Sequence, residues 1–160
     1  MSLTFASLEE EVRFLRGLVS VQRLADEVLE DCLSQNMGLA AALDVYLTQC
    51  ARMIHARGAF VELTGTEGPV LQRIWGQVPA DIDRFAHYEG AVVLQESRTL
   101  FVSQLELAHV RLGSIGFILP GRFEGGGKHV MALVDTIAEM LDSAVLGFIA
   151  LSEGLSLIHI

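Results

Sequence analysis

Cysteine is nearly absent. Cys32 and Cys50 are the only two in 160 residues, too few for a disulfide framework, and nothing at the N-terminus reads as a secretory leader. A reducing, cytoplasmic location is expected. Basic residues are also scarce, 11 Lys and Arg against 20 Asp and Glu, for a formal charge of −9. That field repels phosphate and leaves no basic footprint, which argues against nucleic acid as a direct partner. A membrane-length hydrophobic run is missing too. The least charged stretch, Ser143 to Ile160, is interrupted by Glu153 and Gly154, and its apolar part is shorter than the ~20 residues a span needs. Charged residues amount to only 19%, below the ~25% norm.

What is present is apolar: 51% hydrophobic residues exclude disorder, and 160 residues make one domain with room for a flanking helix. So little charge implies more apolar surface than one core of this size covers, and hence a partner. From Leu8 to Leu33 the apolar residues fall at helical spacing, with Leu8, Val12, Leu15 and Val19 on one short heptad stripe. Gln22 and Asp26 then interrupt it, and Leu18, Val21, Leu24, Val28 and Cys32 form a second stripe rotated around the helix. Ser7 followed by Glu9, Glu10 and Glu11 suits a helix start, where a hydroxyl and carboxylates offset exposed amides.

After a break at Ser34–Gly38, a second amphipathic helix carries Leu39, Leu43, Tyr46, Leu47, Cys50, Met53 and Ile54, and Gly58 ends it. Ala59–Thr64, a Gly-rich turn and Val70–Trp75 read as a hairpin. Between Gly76 and Gly90 the pattern dissolves into an irregular segment facing solvent or a ligand. Three more strand-like runs follow, Leu100–Val102, Leu105–Leu112 and Ser114–Leu119, with a tight turn expected at Gly113. In the closing helix Val130, Val134, Ile137, Leu141, Ala144, Phe148 and Leu151 form an unbroken heptad seam, and other faces are apolar as well. A helix apolar on two sides must be covered on two sides, by the sheet and by a second helix from this chain or another subunit.

In this order of elements the chain resembles a GAF domain. Ala51–Leu63 is similar to that family's helix-into-first-strand junction, Ala91–Val102 to its segment of valine, glutamate, small residue and strand, and Arg111–Leu119 with Phe123 to its late hairpin. Leu133 to Phe148 resembles its closing helix, so the likeness spans about residues 38 to 150. It implies an α+β fold: an antiparallel five- or six-stranded sheet with the N- and C-terminal helices packed on one face and a ligand pocket on the other. It also implies a non-catalytic sensory or regulatory role in a bacterial signalling protein, such as a two-component system. Such a domain dimerises through its terminal helices and relays ligand state to an output domain outside this chain. The alternative is a GAF-like dimerisation module with no ligand. Residues 5–36 are then a dimerisation and signalling helix, 37–153 the domain, and 154–160 a vector-derived or disordered tail.

The chain departs from the family in one place: Val102–Gln104 runs almost directly into Leu105–Leu107, where many members insert a lid. The cyclic-nucleotide set of the family has no counterpart here, and Cys32 and Cys50 lie on helices rather than in a bilin-attaching loop.

The loop Gly121–His129 has the wrong spacing for a phosphate loop and reads as a flexible connection into the last helix. His55, His87, His109, His129 and His159 show no paired ligand spacing, so no metal site is expected, and the residues name no cofactor. Cys50, among Leu47, Met53 and Ile54, reads as a core thiol, and nothing signals an enzyme. His109 reads either as a partly buried strand residue or as a ligand contact. Strand alternation selects Phe60, Glu62, Arg73, Trp75, Phe85, His87, Phe101 and His109 as candidates to line a small-molecule pocket, without saying which face carries which set. For a homodimer interface the heptads select Leu8, Val12, Leu15, Val19, Val134, Ile137, Leu141 and Phe148.

Overall fold

The fold was analysed in a computed structural model that describes residues 38–65, 68–95, 97–107, 109–121, 123 and 127–158, with 8, 12, 15–17, 19–20, 22–23, 26–27 and 30–31. Helix α1 spans Leu39–Met53, followed by strands β1 (Gly58–Gly65) and β2 (Gly68–Gly76), a 3₁₀ turn at Ile82–Phe85, β3 (Gly90–Leu94), β4 (Arg98–Leu107), β5 (Val110–Pro120) and helix α2 (Lys128–Ile158). All strand pairs are antiparallel, in the order β2-β1-β5-β4-β3. The sheet is therefore α+β and five-stranded, but its strands are cut differently from the expectation. The runs at Leu100–Val102 and Leu105 join in β4, and β5 continues unbroken through Gly113. Glycine stands there because a methyl at 113 would sit 1.8 Å from the Glu62 carbonyl oxygen, not because the chain turns. The turn lies between Leu107 and Val110 instead, with His109 in it.

Strand β5 is buried from Gly113 to Leu119 without alternation, so both sheet faces must be covered. On one face Ala59, Val61, Phe101, Leu105, Ile115 and Phe117 meet Leu43, Tyr46, Leu47 and Cys50 of α1 and Val134, Ile137, Ala138 and Leu141 of α2. On the other face Phe60, Leu100, Val102 and Ile118 pack against Ile82 and Phe85, which belong to the segment between β2 and β3. That segment was expected to be irregular, and it forms a roof with two core residues. The Phe60 ring lies over Gly116, where a β-carbon would come within 2.3 Å of it.

Polar links tie the helices to each other and to the sheet. The Tyr46 hydroxyl donates to the Ile137 carbonyl at 2.8 Å, and Ser103 Oγ donates to Asp135 Oδ1 at 2.8 Å. Burial pushes the Cys50 thiol up to about 12, against a smaller opposing effect of its hydrogen bond with Tyr46. A thiol so disposed is protonated and a poor nucleophile at neutral pH. Asp142 is pushed up to about 6, chiefly by burial, and this is partly offset by a hydrogen bond with the Glu106 backbone.

The heptad seam of α2 corrects one expectation. Val134, Ile137 and Leu141 are 0%, 0% and 3% exposed within a single chain, so they belong to its own core rather than to an interface between copies. The seam faces the sheet because that is the apolar surface it meets in the same chain. The side chain of Phe148 lies outside the described residues. The N-terminal helical residues approach another side of α2, where a β-carbon on Gly17 would lie 3.3 Å from Leu133 Cδ1. There Leu8, Val12, Leu15 and Val19 are 74%, 37%, 50% and 55% exposed. Helix α2 runs through Gly154 to Ile158, past the end expected at 153. An interior glycine costs a helix only about 1 kcal/mol relative to alanine and need not end it. The cap at Ser7 with Glu9–Glu11, the second stripe from Leu18 to Cys32, the break at 34–37 and His159 lie outside the described residues. No helix among the described residues is long and apolar enough to cross a membrane.

The core role of the α2 seam is checked by Ile137→Ala. Emptying a fully buried site of this kind is expected to lower unfolding stability by about 2–5 kcal/mol in urea titrations.

Candidate functional site

The roof of residues 77–89 over the second sheet face defines the site, and its position depends on a short polar system at one end of the sheet. Cross-strand partners share a face, so Gln72, Glu62, Ser114 and Gln104 form a row across β2, β1, β5 and β4. Gln104 Nε2 donates to the backbone carbonyls of Ala86 at 3.0 Å and Tyr88 at 2.6 Å. Arg111 donates from Nη2 to the same Ala86 carbonyl at 2.6 Å, from Nε to Gln104 Oε1, and from Nη1 to Thr64 Oγ1 at 3.3 Å. Gln72 Nε2 donates to Asp83 Oδ1. Three strands thus hold one segment down through its carbonyls and one carboxylate.

Arg111 reaches this face because of a bulge. Between the partners Leu105↔Gly113 and Glu106↔Arg111 the β5 side carries one extra residue, Leu112. The extra residue reverses the alternation, so Leu112 packs towards the helices and Arg111 joins Ser114 and Gln104.

Glu62 is 5% exposed. Burial lifts its carboxyl above the ordinary range and the nearby Asp83 carboxylate adds to the rise, while Arg111 and His87 pull it down. Beside it, the buried Ser114 hydroxyl has no hydrogen-bond partner among the described residues.

Towards the Arg98 end of β4, away from this polar row and between the roof and β3, an open cleft of about 500 Å³ is lined by Val78, Phe85, Val92 and Leu94, with Gln77 and Gln95 among its polar residues. Among the described residues its charged lining is Asp81, Arg84 and Arg98. Arg84 Nε contacts Asp81 Oδ2 at 3.2 Å, and its guanidinium lies 4.6 Å from the centroid of the Phe85 ring.

The eight pocket candidates divide between these surroundings. Phe60, Glu62 and Phe85 lie together on the roofed face, and His87 is close enough in the roof to act on the Glu62 charge. Arg73 and Trp75 lie on the helix face instead, because their partners across β1 are Val61 and Ala59. Arg73 Nε there contacts Asp44 Oδ1 at 3.5 Å. Phe101 also lies on the helix side, opposite Phe117 and edge-on to Phe123. His109 is neither a buried strand residue nor a pocket residue. Strand β4 ends at Leu107, and His109 is exposed in the following turn with φ 67°. No group of three or more metal-ligating side chains occurs among the described residues.

Sequence reasoning missed Gln72, Asp83, Gln104, Arg111 and Ser114, as well as Arg84 and Arg98. Alternation along β1 and β2 held the signal for Gln72 beside Glu62, whereas Arg111 depended on a bulge that no residue type announces.

This arrangement can be set beside solved structures. The GAF domain of A. aeolicus nlh2, crystallised in an inactive state, superposes with a TM-score of 0.62 at 7% identity, covering 84% of this chain and 96% of that one. The chain has a GAF-like fold. At that identity the likeness shows the fold alone. No family model and no curated protein matches the sequence. In this GAF-like sheet the helices cover one face and the clamped roof the other, with the cleft at the β3 edge.

Two measurements check the clamp. Arg111→Met removes charge-assisted hydrogen bonds and is expected to cost about 1–3 kcal/mol, with faster hydrogen exchange at the Ala86 and Tyr88 amides that bond within the roof. Because the Glu62 carboxyl titrates above its ordinary 4.5, the native state binds more protons than the unfolded chain just above that pH. Wild-type stability attributable to Glu62 therefore falls as pH rises through that window. Glu62→Gln should gain stability relative to wild type in urea midpoints as pH rises above the ordinary carboxylate range, where an ordinary surface carboxylate would give a flat difference.

Proposed function

We propose that the chain is a non-catalytic sensory or regulatory domain that takes a small molecule in the cleft beside β3. It dimerises through its terminal helices and passes ligand state along them to an output domain outside this chain. The observation that carries the reading is the roof: one segment, held by side-chain clamps, closes the sheet face opposite the helices and borders a cleft of ligand size. Occupancy of the cleft changes the packing of Phe85 and Val92, and through β4 and β5 the seat of α2. The exposed stripe of Leu8, Val12, Leu15 and Val19, on the helical segment beside α2, supports the dimer half of the reading. A bacterial signalling protein of the cytoplasm is the setting that the GAF-like fold and the scarce cysteine support.

A second reading, a dimerisation module without ligand, is favoured by the side chains that fill much of the roofed face, Phe60, Ile82, Phe85, Leu100, Val102 and Ile118.

Native mass spectrometry of the purified protein separates the two. A dimer carrying extra mass supports the sensor, a dimer of bare polypeptide supports the module, and a constitutive monomer overturns both. Leu15→Glu combined with Val19→Glu places charges on the exposed stripe and is expected to convert dimer to monomer while leaving the far-UV circular dichroism unchanged.

A further inference from the structure

We propose that the roof is a proton-operated latch: when Glu62 beneath it gives up its proton to solvent, residues 77–89 loosen from the sheet while the strands stay paired. The device does not require that anything bind in the cleft, so it stands apart from the reading of the chain as a small-molecule sensor. Its basis is where Glu62 sits. The side chain is 5% exposed and lies on the roofed face between Gln72 and Ser114, its partners across β2 and β5.

On one side Gln72 holds Asp83 of the roof, so a second carboxylate is fixed near the first. On the other stands Arg111, whose hydrogen bonds among the described residues go to Ala86, Gln104 and Thr64 rather than to Glu62. Thr64 is two residues from Glu62 on the same strand, which brings the guanidinium close enough to act on its charge. His87 is the other roof group that does so. Strands β2 and β4 present the neutral Gln72 and Gln104 to this place, and Glu89 and Glu106, the latter opposite Arg111 on β4, are exposed at its margin.

Both neighbours turn against the roof when Glu62 ionises. Two carboxylates held side by side, one of them buried, repel, and Asp83, carried by the roof rather than by a strand, is the one that can move away. The new charge also competes with the neutral Ala86 carbonyl for the Arg111 donors, because a guanidinium bonds a carboxylate more strongly. Gln104 is then left to hold the carbonyls of Ala86 and Tyr88. With Glu62 protonated, neither effect operates. The direction agrees with the lift of the Glu62 carboxyl, caused first by burial and then by Asp83, with Arg111 and His87 opposing. A closed roof favours the proton, so opening becomes easier as pH rises above the ordinary carboxylate range.

The test is native-state hydrogen exchange on the full chain between pH ~5 and ~7.5, with protection factors corrected for the intrinsic pH dependence of exchange. The amides of Arg84, Ala86 and Tyr88, which bond within the roof, are compared with those of the β1–β5 ladder. The roof amides are expected to be less protected than the ladder and insensitive to low urea, as a local opening is, with protection falling about threefold or more across the range. Glu62→Gln is expected to abolish the fall. An imidazole also changes charge between pH ~5 and ~8, so His87→Asn is the control and is expected to retain the fall.

A merely structural Glu62 would shift roof protection in its variant by the same factor at every pH and leave the slope intact, and that result overturns the latch. So does a fall that survives Glu62→Gln and vanishes in His87→Asn, or a roof that exchanges only in step with the ladder. If Glu62→Gln does not fold, the wild-type chain decides by nuclear magnetic resonance. The carboxyl carbon of Glu62 and the amides of Ala86 and Tyr88 share one titration midpoint if the latch operates, and separate midpoints overturn it.

Discussion

The burial of β5 on both faces is the constraint from which the rest of the architecture follows. A strand buried continuously from Gly113 to Leu119 must have every backbone group paired and every side chain covered. Its neighbours β1 and β4 meet the first demand along nearly its full length. Helices α1 and α2 meet half of the second, which is why the α2 seam turns inwards. The other half falls to the segment between β2 and β3, which contributes Ile82 and Phe85.

The roof satisfies the carbonyls of Pro79, Asp81, Asp83 and Phe85 from its own amides, but those of Ala86 and Tyr88 are met from the sheet, and that explains the polar row beneath it. Arg111 and Gln104 provide the donors that Ala86 and Tyr88 lack. The local cost is a carboxylate, Glu62, carried into a dry place beside another, with the Arg111 guanidinium and His87 offsetting the charge. The clamp and the cleft belong to one piece of chain. Its far end is fixed, and its near end, around Val78 and Asp81, borders open space.

Most of the fold was legible from periodicity. The spacing of Leu43, Tyr46, Leu47 and Cys50 located α1 and its buried side, and Ala59–Thr64 with Val70–Trp75 located the first hairpin. Legibility stopped where tertiary contacts overrode the local signal. Gly113 looked like a turn because turns and close backbone approaches both select glycine, and only the path of Glu62 distinguishes them here. Four of the eight pocket residues fell on other surfaces, since alternation sorts residues into two sets but does not say which set faces which layer. The clamp itself was invisible because it joins residues 72, 83, 104 and 111, with the last of them placed by a bulge. The heptad spacing in α2 identifies a seam but not its partner, because a sheet and a second helix ask for the same spacing, and here Val134, Ile137 and Leu141 meet the sheet.

Strand β3 lies at the end of the sheet and carries no charged residue in Gly90-Ala91-Val92-Val93-Leu94, with Val93 58% exposed. Uncharged edges of this kind are the surfaces on which sheets of different molecules nucleate cross-β aggregates. Brevity is the protection here, since five residues offer few backbone groups to a sixth strand. An insertion that lengthened this edge without adding lysine or proline would therefore be paid for in colloidal stability well before it affected the native fold.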